Sequence, residues 1–161
     1  MVFFQACYSL GEGHLRPVGE GEAEWWGERL VTLTPWRELG YRGPALGAYL
    51  RRPDPALYPY TLAVAGEAAG LICVRYPWLR GPYLELLAVL PAYQGQGWGR
   101  RLLHWLVDQV RGREANLWTL VSAFNTRARE FYRRSGFVEI GPIPHLVREG
   151  FEEILLRKLI R

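Results

Sequence analysis

Lysine is almost absent from this chain of 161 residues: Lys158 stands alone against nineteen arginines among the 20 basic residues. Only two cysteines occur, Cys7 and Cys73, far apart in sequence. That number and spacing exclude a disulfide framework and a zinc-ligand set, and predict two buried free thiols in a reducing compartment. No metal is expected. No apolar run approaches the ~20 residues needed to cross a bilayer. The opening Met1-Val2-Phe3-Phe4-Gln5 lacks the basic region and long apolar stretch of a secretion signal. The expectation is a cytoplasmic protein with no membrane partner. A dense basic run is missing too, since the arginines are scattered and the net charge is only +4, so a nucleic-acid partner is not favoured. There is no repeat, no low-complexity stretch and no long linker.

What is present is a chain that is 49% apolar, near the commonest length for one domain. Val2–Leu10 reads as an added edge strand and 14–18 as a short extended piece. Ala23, Trp26, Leu30 and Leu33 recur at helical spacing within Glu20–Leu33, and Pro44–Arg52 reads as a second helix stopped by Pro53 and Pro55. The period then changes. Tyr60–Ala65 and Ala68–Tyr76 flank Gly66-Glu67 as a hairpin, and Tyr83–Leu90 is a nearly continuous apolar run typical of a central strand. A helix follows Gly95–Gly99, then a strand at Leu117–Ala123. Asn125 is placed to cap a helix over Thr126–Ser135, with Gly136 as its C′ residue. Phe137–Ile140 and Glu153–Ile160 close the sheet. The order predicts a mixed α/β (α+β) fold in one domain, 1–161.

Most chemical information lies in the strand and loop from Leu86 to Arg101. A buried strand runs into a loop with glycine at every second position (Gly95, Gly97, Gly99), and a helix begins at once. Glycines let backbone approach a ligand and accept positive φ. The first N–H groups of a helix lack intrahelical partners and carry about half a positive charge. Together they make an anion site suited to a pyrophosphate, and Arg100 and Arg101 can add charge-assisted bonds. The loop lacks the Gly-Lys-Ser/Thr ending of a nucleotide P-loop, and its spacing is not G-x-G-x-x-G. Geometry alone leaves the anion site and a purely structural glycine turn both open.

Gln94-x-x-Gly97-x-Gly99, preceded by Leu87-Ala88-Val89-Leu90-Pro91, resembles the Gln/Arg-x-x-Gly-x-Gly/Ala signature of the GCN5-related N-acetyltransferases, the GNAT superfamily. A second stretch, Asn125 through Ala128 and Phe131-Tyr132 to Gly136-Phe137, is similar to that family's other motif. The likeness covers roughly 60–161. It implies a GNAT-like fold, a central mixed and mostly antiparallel sheet flanked by helices. Residues 60–161 then supply the hairpin, the acyl-CoA-binding core and the closing strands, and 1–59 an acceptor-side half with two helices. It also implies acetyl-CoA (or a short acyl-CoA) as donor. Leu87, Ala88, Val89, Gln94, Gly95, Gln96, Gly97, Trp98, Gly99 and Arg100 would hold the coenzyme, with Asn125 against the pantetheine arm. Tyr132 would be the phenol near the coenzyme sulfur that protonates the leaving thiolate; a buried tyrosine whose hydroxyl finds a structural partner is the competing reading. Ala128 and Phe131 read as core.

The implied reaction is direct attack of a primary amine, on a small molecule or a peptide, on the thioester, with the Val89 N–H as oxyanion donor. An ammonium acceptor must first lose a proton. Glu85, a carboxylate within an apolar strand, is the first candidate base; pairing with an arginine such as Arg75 is the equally weighted alternative. His145 in the loop from Pro142 to Gly150 is the second candidate, with plain solvation as its alternative. Some peptide-N-terminus acetyltransferases carry a glutamate five residues before the equivalent of Asn125, where this chain has Leu120. Trp25, Trp26, Trp36, Tyr41 and Trp78 divide between acceptor pocket and core. Two rivals stand beside the enzyme: a GNAT-fold sensor that binds CoA without turnover, and a basic nucleic-acid-binding domain.

Overall fold

A computed structural model describes residue 3 and residues 5–161. Its elements, in chain order, are β1 (Tyr8–Leu10), β2 (Gly13–Pro17), α1 (Glu22–Leu30), α2 (Gly43–Arg51), β3 (Leu57–Val64), β4 (Glu67–Trp78), β5 (Gly81–Val89), α3 (Trp98–Val110), β6 (Asn116–Ser122), α4 (Thr126–Arg134), β7 (Val138–Pro144) and β8 (Glu152–Leu159). The fold is the expected mixed α/β one, and every strand pair whose register is described is antiparallel. Contacts gather the chain into two units: Met1–Val18 with Asp54–Leu117 and Ile160–Arg161, and Gly19–Pro53 with Trp118–Leu159.

In the first unit β1-β2-β3-β4-β5 lie in that order as a meander. β3 and β4 turn at Ala65-Gly66, both at positive φ (51° and 79°), one residue earlier than expected. Two positive φ values match the right-handed twist of the flanking strands, which is why a two-residue loop suffices. Leu15, Leu62, Leu71, Ile72 and Leu84 are essentially inaccessible. Helix α3 adds Trp98, Leu102, Trp105, Leu106 and Val110 on its buried side, following the 3.6-residue period. Trp105 stacks edge-on with Tyr8 and Tyr60 at 5.1 and 5.5 Å. The edge strand expected from Val2 is found only from Tyr8; Val2 and Phe4 lie outside the described residues. Cys73 is buried but Cys7, ahead of β1, is exposed, so the expectation of two buried thiols holds for one.

In the second unit α1 and α2 pack backbone to backbone, because a side chain on Gly27 would collide with the Gly43 carbonyl. Trp26, Leu30, Leu46 and Leu50 are buried there; Trp25 and Trp36 are half-buried. Helix α1 stops three residues before Leu33. Thr32 turns its hydroxyl onto the Arg29 carbonyl (2.7 Å), and Pro35 biases Thr34 away from helical backbone. β8 lies between β6 and the outer strand β7. The outer strand exposes Val138 and Ile140 and ends on Pro142 and Pro144, residues that blunt an edge against further pairing. Lys158 donates Nζ to the Ser135 carbonyl at 2.8 Å, which satisfies one of the last acceptors of α4.

Candidate active site

In the first unit β5 delivers the glycine loop. Its even-numbered residues Leu84, Leu86 and Ala88 are buried, and Glu85, Leu87 and Val89 form a half-exposed row, so the expected alternation holds. Leu90 N–H bonds the Ala69 carbonyl (2.9 Å). By ladder alternation this directs the Val89 N–H away from β4. The Val89 carbonyl accepts from Gln94 Nε2 at 2.9 Å, and Gln96 Nε2 donates to the Ala92 carbonyl at 3.2 Å. The two glutamine side chains therefore tie the loop to its own strand and turn, and the Gln94 amide closes the same turn on the Pro91 carbonyl at 3.3 Å.

Gly95 and Gly97 hold φ of 75° and 84°, with nothing within 4 Å of where a side chain would stand. Their requirement for glycine is conformational, and the space above them is open. Gly97 is the N-cap of α3 and provides no side-chain cap. The first backbone bond into the helix is Arg101 N–H to the Gly97 carbonyl (3.0 Å). The amides of Trp98, Gly99 and Arg100 precede it without intrahelical acceptors, as helix geometry demands. The indole of Trp98, 2% exposed, pins this start of the helix; it sits so close over Gly13 that any side chain there would meet it. The two arginines differ. Arg101 lies 4.5 Å over the Trp98 ring and pairs with Glu12 at 2.9 Å. Arg100 is exposed and has no side-chain partner among the described residues.

Glu85 is the extra residue of a β-bulge: Cys73 opposes Leu86 and Val74 opposes Leu84. Bulges re-aim side chains, and here Glu85 meets Arg75. The guanidinium grips both of its oxygens, at 2.8 and 3.2 Å, and also Asp54 at 3.0 Å. Two carboxylates hold the Arg75 cation firmly protonated, the bond to Glu85 contributing most. The pairing alternative for Glu85 is thus realised.

In the second unit Asn125 caps α4 as expected, its Oδ1 accepting from the Ala128 N–H at 3.2 Å. Tyr132, 7% exposed, is the buried residue of that helix. Ala128 and Phe131 are only half-buried, contrary to their reading as core, because a nine-residue helix carrying five Arg or Glu sinks little more than one side chain; Phe137 after the turn completes the packing. Burial pushes the Tyr132 phenol up to about 12, opposed by a hydrogen bond from Thr119 of β6. At neutral pH the phenol keeps its proton. His145 accepts at Nδ1 from the Gly150 N–H at 2.9 Å, so the ring closes its own loop.

One residue escaped sequence reasoning. Glu153 of β8 is 4% exposed. Its Oε1 accepts from Ser122 Oγ at 2.9 Å, while its Oε2 is buried without a hydrogen-bond partner. Burial raises its pKa, with the Ser122 bond opposing. The available signal was Glu152-Glu153 at the start of an apolar strand, where alternation must send one acid to each face.

The mixed, mostly antiparallel sheet with helices α1 to α4, in this order, has the architecture of the GNAT acetyltransferases. The chain matches the Acetyltransferase (GNAT) family over residues 17–137, and it belongs to that family. It is 37% identical over 78 residues to a streptothricin acetyltransferase of Streptomyces lavendulae, 47% of this chain and 41% of the relative. It is 42% identical over 55 residues to a [ribosomal protein bS18]-alanine N-acetyltransferase of Haemophilus ducreyi, 34% of this chain and 38% of the relative. The chain thus spans about two fifths of the length of these curated relatives. An aminoglycoside 6'-N-acetyltransferase solved with coenzyme A shares the fold, with a TM-score of 0.71 at 15% identity, over 91% of this chain and 97% of that one. Among the described residues no helix is long and apolar enough to cross a membrane.

Proposed function

We propose that this protein binds acetyl-CoA and transfers its acetyl group to a primary amine, on a small molecule or at a peptide terminus, in the cytoplasm. The observation that carries the reading is the start of α3: two positive-φ glycines under open space, amides without intrahelical acceptors, and the unpaired Arg100. Such a start fits a pyrophosphate, whose charge the helix terminus favours and whose oxygens the amides can bond. The family match crosses both units of the chain, which supports treating 1–161 as one acyltransferase domain. The two curated relatives act, by their names, on streptothricin and on an alanine of a ribosomal protein, which supports an amine acceptor without choosing between the two kinds.

When bound, the coenzyme supplies a thioester carbonyl and a thiolate leaving group. The Val89 N–H, directed away from β4, serves as the donor to the carbonyl oxygen as charge gathers on it. Leu87, Ala88 and Val89 receive the pantetheine along β5, and the spare amide of Asn125 donates to that arm. Tyr132, still protonated at neutral pH, gives its proton or a hydrogen bond to the departing sulfur. Glu85, gripped by Arg75 and set on the bulge, serves this scheme better by fixing the shape of β5 than by removing a proton.

The test is thermal unfolding with millimolar acetyl-CoA, ATP or NAD, followed by a free-thiol assay with streptothricin and an alanyl hexapeptide as acceptors. A ligand at ~100 times its Kd stabilises a fold by about 2.7 kcal/mol, worth several degrees in a chain of this size. A shift with acetyl-CoA alone, together with thiol release, is expected. A shift with no release from any amine would favour a CoA-binding sensor, and no shift at all would remove the reading.

A further inference from the structure

We propose that Glu153 is the carboxylate that receives the acceptor's ammonium group and takes its proton, an inference that rests on the acetyl-transfer reading above. The geometry comes from β6. Thr119 and Ser122 are three residues apart on that strand, so their side chains leave opposite faces. Thr119 holds the Tyr132 hydroxyl and Ser122 holds Glu153. One strand thus orients a phenol from one face and a carboxylate from the other.

Glu153 has the character of a group kept for chemistry. Burying a carboxylate oxygen without a hydrogen bond destabilises a fold, and such an oxygen in a native structure calls for a reason. No cation on the flanking strands neutralises it. β6 carries no charged residue, and the one charged residue of β7, Glu139, is paired with Arg129. Arg157, four residues along β8, lies over the Trp118 ring. The surroundings also suit a cation on its way in. Phe151, two residues before Glu153, and Phe124, two after Ser122, meet edge to face at 5.6 Å, and the Phe151 ring already carries the Arg148 guanidinium at 5.7 Å. An aromatic face attracts an ammonium group in the same way. Burial raises the affinity of the Glu153 carboxylate for a proton, the direction a base acting on an ammonium needs.

The step balances simply. Oε2 accepts one proton from R–NH3+, and the freed nitrogen lone pair forms the C–N bond at the thioester carbon while the C–S bond breaks. The sulfur departs with the bonding pair and is protonated as the nitrogen sheds its second proton. Glu153 then returns its proton to water.

The experiment compares the full chain with Glu153→Gln, and with Glu152→Gln, its exposed neighbour, as control. Acetyl-CoA binding is read from the unfolding midpoint, and turnover from thiol release with ethylamine, 2-fluoroethylamine and 2,2,2-trifluoroethylamine, successively weaker bases. Glu153→Gln is expected to keep the acetyl-CoA shift and to unfold at a higher temperature than the wild type, because an uncompensated buried charge is gone. Its turnover with ethylamine should fall ~10²-fold or more, and the loss should shrink towards trifluoroethylamine, an amine already neutral at assay pH. A uniform loss across the series, no loss, or a fall in stability with loss of the acetyl-CoA shift would each overturn the proposal. Wild-type protein that binds no acetyl-CoA would overturn the acetyl-transfer reading and this one with it; wild-type turnover unchanged in Glu153→Gln would overturn this one alone.

Discussion

Helices α3 and α4 start in opposite ways. α4 closes its own end, with the Asn125 side chain bonded to the Ala128 amide. α3 leaves its end open behind Gly97, which has no side chain to offer. Both starts carry the same dipole and the same orphan amides. The difference is who satisfies them: the protein at α4, and on the present reading a ligand at α3. A capped start contributes stability at all times, whereas an open one contributes affinity when its partner arrives.

That contrast can be broken most severely at Gly97. Gly97→Glu forces a side chain into φ of 84° and puts a carboxylate where an anion should sit. The acetyl-CoA shift in unfolding temperature should vanish, and a retained shift would refute the cradle. Next is Tyr132→Phe, which removes only a hydroxyl held by Thr119. Turnover should drop ~10²-fold with coenzyme affinity intact; an equal loss of affinity would make the hydroxyl structural. Asn125→Ala should cost about 1 kcal/mol in denaturant unfolding while Asn125→Asp keeps most of the cap, and no comparable stability loss is expected from Arg100→Ala, whose cost appears in coenzyme affinity and grows at low salt. The smallest effects are those of pH. Below its ordinary value of 4.5 Glu153 is protonated whether the chain is folded or not. As pH rises above that, the unfolded chain ionises first, so stability falls through the window up to the raised folded value and then levels. Glu153→Gln should abolish that slope. Glu130, held down to about 2 chiefly by Arg133 and then by Arg134, works with the opposite sign: its contribution is present above 4.5 and is lost as pH falls towards 2. Its side chain is open to solvent (43%), so the effect should be slight and salt-sensitive.

The open start of α3 was legible in the sequence because every part of it is local: strand, alternating glycines and helix follow one another within sixteen residues. The cap of α4 was legible for the same reason. Strand positions came through within a few residues wherever alternation or an apolar run was clear, as at β4, β5 and β8. What stayed hidden depends on partners distant in sequence. Glu85 read equally well as a base or as half of an ion pair, and the bulge that hands it to Arg75 has no local signature. Glu153 read only as the first residue of a closing strand; its tie to Ser122 spans 31 residues. Helix α1 was read too long because periodicity continued to Leu33 while Thr32 and Pro35 had already turned the backbone aside.

The scarcity of lysine has a consequence at Lys158. Its ammonium group is spent on the Ser135 carbonyl and is pressed against Gly136, so the chain displays hardly any side-chain amine of its own. A protein that gathers an activated acyl donor beside nucleophilic nitrogens is exposed to marking itself, and arginine, whose guanidinium stays protonated, is a poor target. Nineteen arginines and one occupied lysine leave this surface cationic yet, on the acetyl-transfer reading, nearly inert towards the donor proposed for it.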